Sequence, residues 1–362
     1  MNKDERERYS TQMRLPQIGQ RGQERLKSIK VLCVGAGGLN CPALLYLSSA
    51  GIGTIGVIDG DMVDLSNLQR QVLFSASEVG RNKAKVATEK LQALNPHVSY
   101  KSYPYWLSSE NALSLFEEYD IVVDGTDNFG AKFLINDAAV MTARPVVYAS
   151  VSKFEGQISV FDANRGPCYR CIFPSPPKEH VPNCAESGVV GALTGMMGSI
   201  QALEVVKLAV NSGELKPLIG KFLTINAADF SISSLALSKD PSCPLCSEQP
   251  TIKELEYYAI TQTPCAGRDV SAQDLPKLED VQLIDVREPS EFEAGSIPGS
   301  VNIPLSQLSE HFSEVALDKQ CLVFCQTGIR SRKAINILNE VGCSNIINLS
   351  GGYEAWLHSK DT

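Results

Sequence analysis

Two cysteine pairs, Cys168-Tyr-Arg-Cys171 and Cys243-Pro-Leu-Cys246, are separated by 71 residues, positions 172–242. A Cys-x-x-Cys places two sulfurs near enough to bind one metal, and two such knuckles complete a tetrahedral four-cysteine zinc site. A site of that kind ties two distant segments to one point. Pro167 before the first pair and Pro244 inside the second supply the chemistry of tight turns. Four thiolates leave no open coordination position, so the metal is read as structural. The plainer alternative is two redox pairs or incidental core cysteines.

A chain of 362 residues is too long for one core and points to two domains. The formal charge of −8 argues against nucleic acid or an anionic membrane as partner. Eleven cysteines fit metal and thiol chemistry in the cytosol better than a disulfide scaffold. The start, Met1-Asn-Lys-Asp-Glu5, is too polar for a signal peptide. Gly188–Val210 is the most apolar long stretch, but Gln201, Glu204 and Lys207 interrupt it, so it reads as a buried helix.

Lys30–Val34, an apolar run ending at Gly35, reads as a buried parallel strand, and Thr54–Ile58 as a second. A helix follows the first strand and stops near Gly51; residues 82–94 form an amphipathic helix ending at Asn95-Pro96. Strands at 120–123 and 145–149 flank a helix over about 131–142, with later strands at 156–161 and 221–226. This alternation is the pattern of an α/β, doubly wound, mostly parallel sheet. A second α/β alternation runs through strands 281–285, 321–324 and 346–349 and a helix over 330–341. The expected division is 1–246, a linker at 247–268, and a smaller domain at 269–362.

Gly35-Ala-Gly37-Gly38-Leu-Asn40 joins the first strand to the first helix, where backbone N–H groups can approach a phosphate. Asp59, 21 residues after Gly38, ends the second strand, where a carboxylate can accept from ribose hydroxyls. Such a loop alone also fits a nicotinamide dinucleotide. Ser66-Asn67-Leu-Gln-Arg70-Gln71, Lys83 and Asp124-Gly-Thr-Asp127-Asn128 add an amide, two phosphate-pairing cations and a carboxylate suited to Mg²⁺. That equipment fits a triphosphate. Singly, Arg70 and Lys83 could be solvated cations and Asp127 a helix N-cap; their joint placement at strand ends favours the nucleotide site.

With those motifs and both knuckles, residues of about 5–247 resemble the adenylyltransferases of the MoeB/ThiF family, which activate ubiquitin-like sulfur carriers. The resemblance implies that Gly35, Gly37, Gly38, Asp59, Asn67, Arg70, Lys83 and Asn128 belong to the ATP site, with Asp127 binding Mg²⁺. It also implies a homodimer in which the partner's N-terminal arm adds an arginine. Here Thr11 stands where that arginine is common, with Arg8 and Arg14 nearby. Cys184 lies where the family has a crossover loop whose cysteine can link to the carrier.

Cys325-Gln-Thr-Gly-Ile-Arg330-Ser331 follows a strand and enters a helix, a setting that favours thiolate, with Arg330 adding positive charge. Four residues between Cys325 and Arg330 match single-domain rhodaneses, whereas related phosphatases have five. Leu283–Glu288, Gly295–Pro304 and Leu349–Trp356 add to the resemblance, which covers about 269–362. Ser296 replaces a histidine common there. The resemblance implies a Cys325 persulfide fed by thiosulfate or a cysteine desulfurase.

Together the halves imply adenylation of a carrier ending in Gly-Gly, then sulfur transfer toward a thiocarboxylate, directly or through Cys184. Family relatives of this kind serve molybdenum cofactor, thiamine and tRNA-thiolation pathways. The competing readings are a nicotinamide oxidoreductase, a non-catalytic carrier-binding scaffold, and an activator for conjugation through Cys184. Cys33, Cys41, Cys265, Cys321 and Cys343, and the four histidines, show no constellation.

Overall fold

Strand β1 (Lys30–Val34) is flanked by β2 (Thr54–Ile58) and β4 (Ile121–Asp124), both parallel to it. With β3 (Ser99–Tyr103) and β5 (Val146–Ser152) the parallel order is β3-β2-β1-β4-β5. The remaining strands β6 (Glu155–Phe161), β7 (Lys221–Asn226) and β8 (Ser231–Ala236) add on antiparallel, giving eight strands. The chain winds one way from β1 to β3 and the other way from β4, so the switch point lies between β1 and β4. Crevices for ligands form there, beyond the carboxyl ends of the strands.

The structure is a computed structural model that describes residues 1–177, 188–255, 268–273, 275, 281–311, 315–316, 319–340 and 346–360. It falls into two units, Met1–Ile260 and Thr261–Thr362. In the first, α1 (Lys3–Arg8), α2 (Ser10–Met13) and α3 (Gly19–Ser28) precede the sheet. Between strands come α4 (Asn40–Ala50), α5 (Lys83–Leu94), α6 (Ala112–Glu117) and α7 (Phe129–Met141). Two apolar layers result. One centres on Leu44, Leu47, Ile55 and Val205, the other on Phe116, Phe133, Leu134 and Tyr169.

The apolar stretch is α8 (Gly191–Val210), whose most apolar window has mean hydropathy 1.3 and is 61% buried. A side chain at Gly198 would stand 2.0 Å from the Leu39 carbonyl, so glycine lets α8 lie close on α4. Gln201, fully buried, donates to the carbonyls of Asp124 (2.8 Å) and Val147 (3.0 Å). The polar interruption in the helix therefore closes backbone valences at the sheet ends.

The second unit has a five-stranded sheet, ordered β11-β10-β12-β13-β9, with every pair parallel. Its strands are β9 (Arg268–Val270), β10 (Val281–Asp285), β11 (Val301–Asn302), β12 (Gln320–Phe324) and β13 (Ile346–Leu349). Its helices are α9 (Pro289–Glu293), α10 (Leu308–His311), α11 (Ile329–Glu340) and α12 (Gly352–Lys360). Ile284, Val323 and Leu338 anchor one face of the sheet; Leu322, Phe324 and Trp356 anchor the other.

Candidate functional site

Gly35 turns at φ +83° directly after β1, and a Cβ there would stand 3.3 Å from the Gly125 carbonyl. The glycine loop and the loop after β4 therefore touch at the switch point. Asn40, at the third-glycine position, donates its amide to the carbonyls of Val34 (3.0 Å) and Gly35 (2.7 Å), tying the loop to α4. Gly38 lies beneath Arg70 and Thr194, each 3.2 Å from a Cβ built there, closer than an ordinary van der Waals contact.

Asp59 is buried at the end of β2 and accepts from the N–H groups of Ala36 (2.7 Å) and Asp61 (2.8 Å). Burial pushes this carboxyl up, with Lys83 and those two N–H groups opposing. Each carboxylate oxygen keeps a further lone pair for a hydroxyl donor. Lys83 is not a solvated cation: it is buried and ion-paired with Asp61 at 2.6 Å. Asn82 caps α5 through its side-chain oxygen and donates its amide to the carbonyls of Asp59 (3.0 Å) and Asp61 (3.1 Å). The cap that starts α5 thus also sets where Lys83 stands.

Arg70 and Asn67 are half-buried beside the short turn Leu65–Asn67, which Asp64 caps. After β4, Asn128 caps α7 by accepting from the Ala131 N–H at 2.8 Å. Asp127 is left exposed with no capping duty, so Asn128, not Asp127, is the N-cap. Sequence reasoning missed Lys132. It is buried between Asp124 (2.9 Å), the Ala149 carbonyl (2.9 Å) and the Tyr148 ring, 4.7 Å to its centroid. Burial disfavours its charge, but Asp124, Tyr148 and Asp127 outweigh this and hold the ammonium protonated. A lysine inside the apolar run of α7 was the available signal.

The four knuckle cysteines come together, all four sulfurs within 4.8 Å of one another. The closest separations are 3.5 Å (Cys171–Cys246), 3.6 Å (Cys168–Cys243) and 3.9 Å (Cys168–Cys171). Metal–sulfur bonds of about 2.3 Å give a tetrahedral edge of roughly 3.8 Å, so the cage fits a thiolate-loving ion. Burial raises the Cys168 thiol and pushes Cys246 up to about 12. Arg170 fastens the first knuckle to α7 by a fully buried fork on Asp137, at 2.7 and 2.8 Å. Tyr169 packs on Phe133 (5.2 Å between ring centroids) and its N–H donates to Asn136.

In the second unit Cys325 follows β12 and is 1% exposed. Gly328 N–H points at its Sγ (3.2 Å), and the Ser331 hydroxyl lies 3.7 Å away. Arg330 is held by Glu291 through two contacts, 2.6 and 2.7 Å, which draws the Glu291 carboxyl down to about 2. Arg287, buried, binds Asp285 and the Gly295 carbonyl and lies 4.1 Å over the Tyr353 ring. Ser296 joins that cluster by donating to Asp285 at 2.7 Å, a packing role in place of the common histidine. Cys33, Cys41 and Cys321 are buried. Cys184, Cys265 and Cys343 lie outside the described residues.

Touching loops at the switch point of a mostly parallel sheet, a four-cysteine cage and a cysteine loop on a second parallel sheet are the parts of a nucleotide-dependent enzyme joined to a thiol-transfer module. The chain belongs to the ThiF family, whose profile matches residues 9–245, and residues 271–359 match the rhodanese-like domain. It is 38% identical to the probable adenylyltransferase/sulfurtransferase MoeZ of Mycobacterium tuberculosis, over 98% of this chain and 94% of that protein. The adenylyltransferase and sulfurtransferase MOCS3 of Drosophila ananassae is 39% identical, covering 100% of this chain and 85% of its own length. The sulfur carrier protein adenylyltransferase of Thermus thermophilus is 48% identical over 71% of this chain and 96% of its own. The crystal structure of E. coli MccB shares the fold, with a TM-score of 0.60 at 22% identity, over 71% of this chain and 77% of that one. The chain is thus an adenylyltransferase and sulfurtransferase that uses ATP.

Proposed function

We propose that residues 1–246 adenylate the C-terminal glycine of a ubiquitin-like sulfur carrier, and that residues 269–362, beyond a linker at 247–268, deliver sulfur from Cys325. The observation that carries this reading is the meeting of the Gly35 and Gly125 loops at the switch point, with Asp59, Lys83 and Asp127 around it.

Asp59 takes the ribose hydroxyls; Gly35, Gly37, Gly38, Asn67, Arg70 and Lys83 take the phosphates. Asp127, next to the Asn128 cap of α7, would hold Mg²⁺, which would offset charge on the triphosphate. A carrier carboxylate oxygen attacks the α-phosphorus, the bond to the bridging oxygen breaks, and pyrophosphate leaves. No general base is needed, because the carboxylate is already ionised. Arg70 and Lys83 act by position and charge. The outer sulfur of a Cys325 persulfide then attacks the acyl carbon and AMP leaves. Cleavage of the resulting acyl disulfide by a thiol, Cys184 among the candidates, frees the thiocarboxylate. Zn²⁺ at Cys168, Cys171, Cys243 and Cys246 is structural. The active form is a cytoplasmic homodimer, with thiosulfate or a desulfurase persulfide as sulfur source.

The test is carrier-dependent exchange of pyrophosphate into ATP, followed by intact mass of the carrier with thiosulfate present. Arg70→Ala and Asp127→Ala abolish exchange; Cys325→Ala keeps exchange and loses the thiocarboxylate. Exchange retained in both first variants removes their roles. Unchanged thiocarboxylate in Cys325→Ala means another donor feeds the carrier.

A further inference from the structure

Ser331 sits in the first turn of α11, fully buried, one residue after Arg330. Its hydroxyl has two acceptors within reach, Asn348 Oδ1 at 2.8 Å and Cys325 Sγ at 3.7 Å. It carries one proton, and the shorter contact takes it. Asn348, also fully buried, is fixed in β13 opposite Val323 of β12. Two strands and a helix therefore converge on a single switchable O–H beside the sulfur.

We propose that Ser331 is a catalytic residue of sulfur discharge that donates to Cys325 Sγ as the sulfur leaves, and that Asn348 is its positioning residue. The inference rests on Cys325 being the persulfide carrier. When the sulfur is handed to a second thiol before it reaches the carrier, as when cyanide takes it in the assay below, the acceptor nucleophile attacks the outer sulfur of the persulfide. A bond forms from the acceptor to that sulfur as the S–S bond breaks, and the electron pair of the broken bond stays on Sγ as a thiolate. The outer sulfur passes over with six valence electrons, so no external oxidant or reductant takes part.

The thiolate is born where the cysteine is 1% exposed, so water cannot solvate it and protein donors must. Gly328 N–H is one such donor, at 3.2 Å in this structure. The second has to move. A neutral amide oxygen holds the Ser331 proton while Sγ is uncharged. A full anionic charge on Sγ is the stronger acceptor, and rotation about one side-chain bond turns the O–H onto it. Asn348 keeps the hydroxyl close yet withdrawn from a sulfur that must stay nucleophilic for loading. The arrangement thus favours the leaving thiolate over the bonded persulfide, which is the difference that lowers a barrier.

The test uses the full chain. Protein is loaded with thiosulfate, freed of excess, and mixed with cyanide, and thiocyanate is followed in a single turnover. Ser331→Ala slows discharge by about tenfold or more, the scale of a lost hydrogen bond to a charged group. Its loading by thiosulfate stays at the wild-type level, and Ser331→Thr recovers most of the discharge rate. A structural defect lowers loading and discharge together, so an equal loss of both overturns the proposal, as does wild-type discharge in Ser331→Ala. Should that variant fail to fold, Asn348→Asp carries the test. A carboxylate retains the hydroxyl proton, so discharge slows with loading preserved; discharge at the wild-type rate overturns the proposal. Cys325→Ala, measured in parallel, must not load at all. Loading in that control removes the persulfide reading itself, separately from the role of Ser331.

Discussion

Lys83 Nζ stands 2.6 Å from a carboxylate oxygen of Asp61, the lysine side chain 5% exposed and the aspartate 51%. The ammonium is buried and the acid that balances it is wet. On the proposed reading of Lys83 as a phosphate ligand, Asp61 holds the place that a phosphate would take. Asp61→Asn leaves the buried Lys83 ammonium without its ion-pair partner, so it should cost more than the about 1 kcal/mol of a surface pair. ATP affinity should hold or tighten, since Lys83 no longer leaves a carboxylate to meet a phosphate. Urea denaturation and an ATP titration check the two parts, and a weakened ATP affinity would contradict the arrangement.

The buried fork between Arg170 and Asp137 is the mechanical joint of the first knuckle. Asp137→Ala leaves a guanidinium charge inside the protein and should lower stability by about 3–5 kcal/mol. Thermal melting measures the loss. Metal content should fall in the same variant, because the segment carrying Cys168 and Cys171 loses its footing on α7.

Metal analysis should find about one Zn²⁺ per chain in the purified protein. A strong chelator should lower the melting temperature, with recovery on adding Zn²⁺ and none on adding Mg²⁺. A chelator-treated protein with an unchanged melt would refute a structural ion. Cys168→Ser should mimic the chelated protein.

Acid should loosen the second unit through Glu291. Its carboxyl is held at about 2 against an ordinary 4.5, first by the hydrogen bonds from Arg330. A depressed carboxyl contributes its full share of stability above the unfolded value and loses it as pH falls toward the folded one. The loss therefore runs from about pH 4.5 down to about 2. Both side chains are about a third exposed, so solvent screening keeps the contribution under about 1 kcal/mol. Glu291→Gln should be slightly less stable at neutral pH and should lack this acid component. Denaturant midpoints across the window decide it.

Strands and motifs that announce themselves chemically were legible in the sequence. Val31–Val34 and Val281–Asp285 are short apolar runs closed by turn residues, and Asn82 marks the start of α5. β3, reading Ser-Tyr-Lys-Ser-Tyr at the sheet edge, and β8, exposed along its whole length, bury no continuous apolar face and so left no signal. In the site, glycines, paired cysteines and strand-end carboxylates stand out because their chemistry is local. Glu291 on Arg330 and Asn348 on Ser331 are ordinary residues until the fold brings distant segments together. A spacing rule cannot see such pairs.

Gln201 and Glu204 look like flaws in an otherwise apolar helix, yet both are buried, Glu204 receiving the Leu218 N–H at 2.8 Å. Their second consequence belongs to biogenesis. While the chain is emerging from the ribosome and the sheet does not yet exist, α8 is the segment a membrane insertion apparatus would test. An ionised side chain at mid-helix costs about 3 kcal/mol in that test. The residues that fasten α8 within the fold are also the ones that make it a poor membrane span for its length.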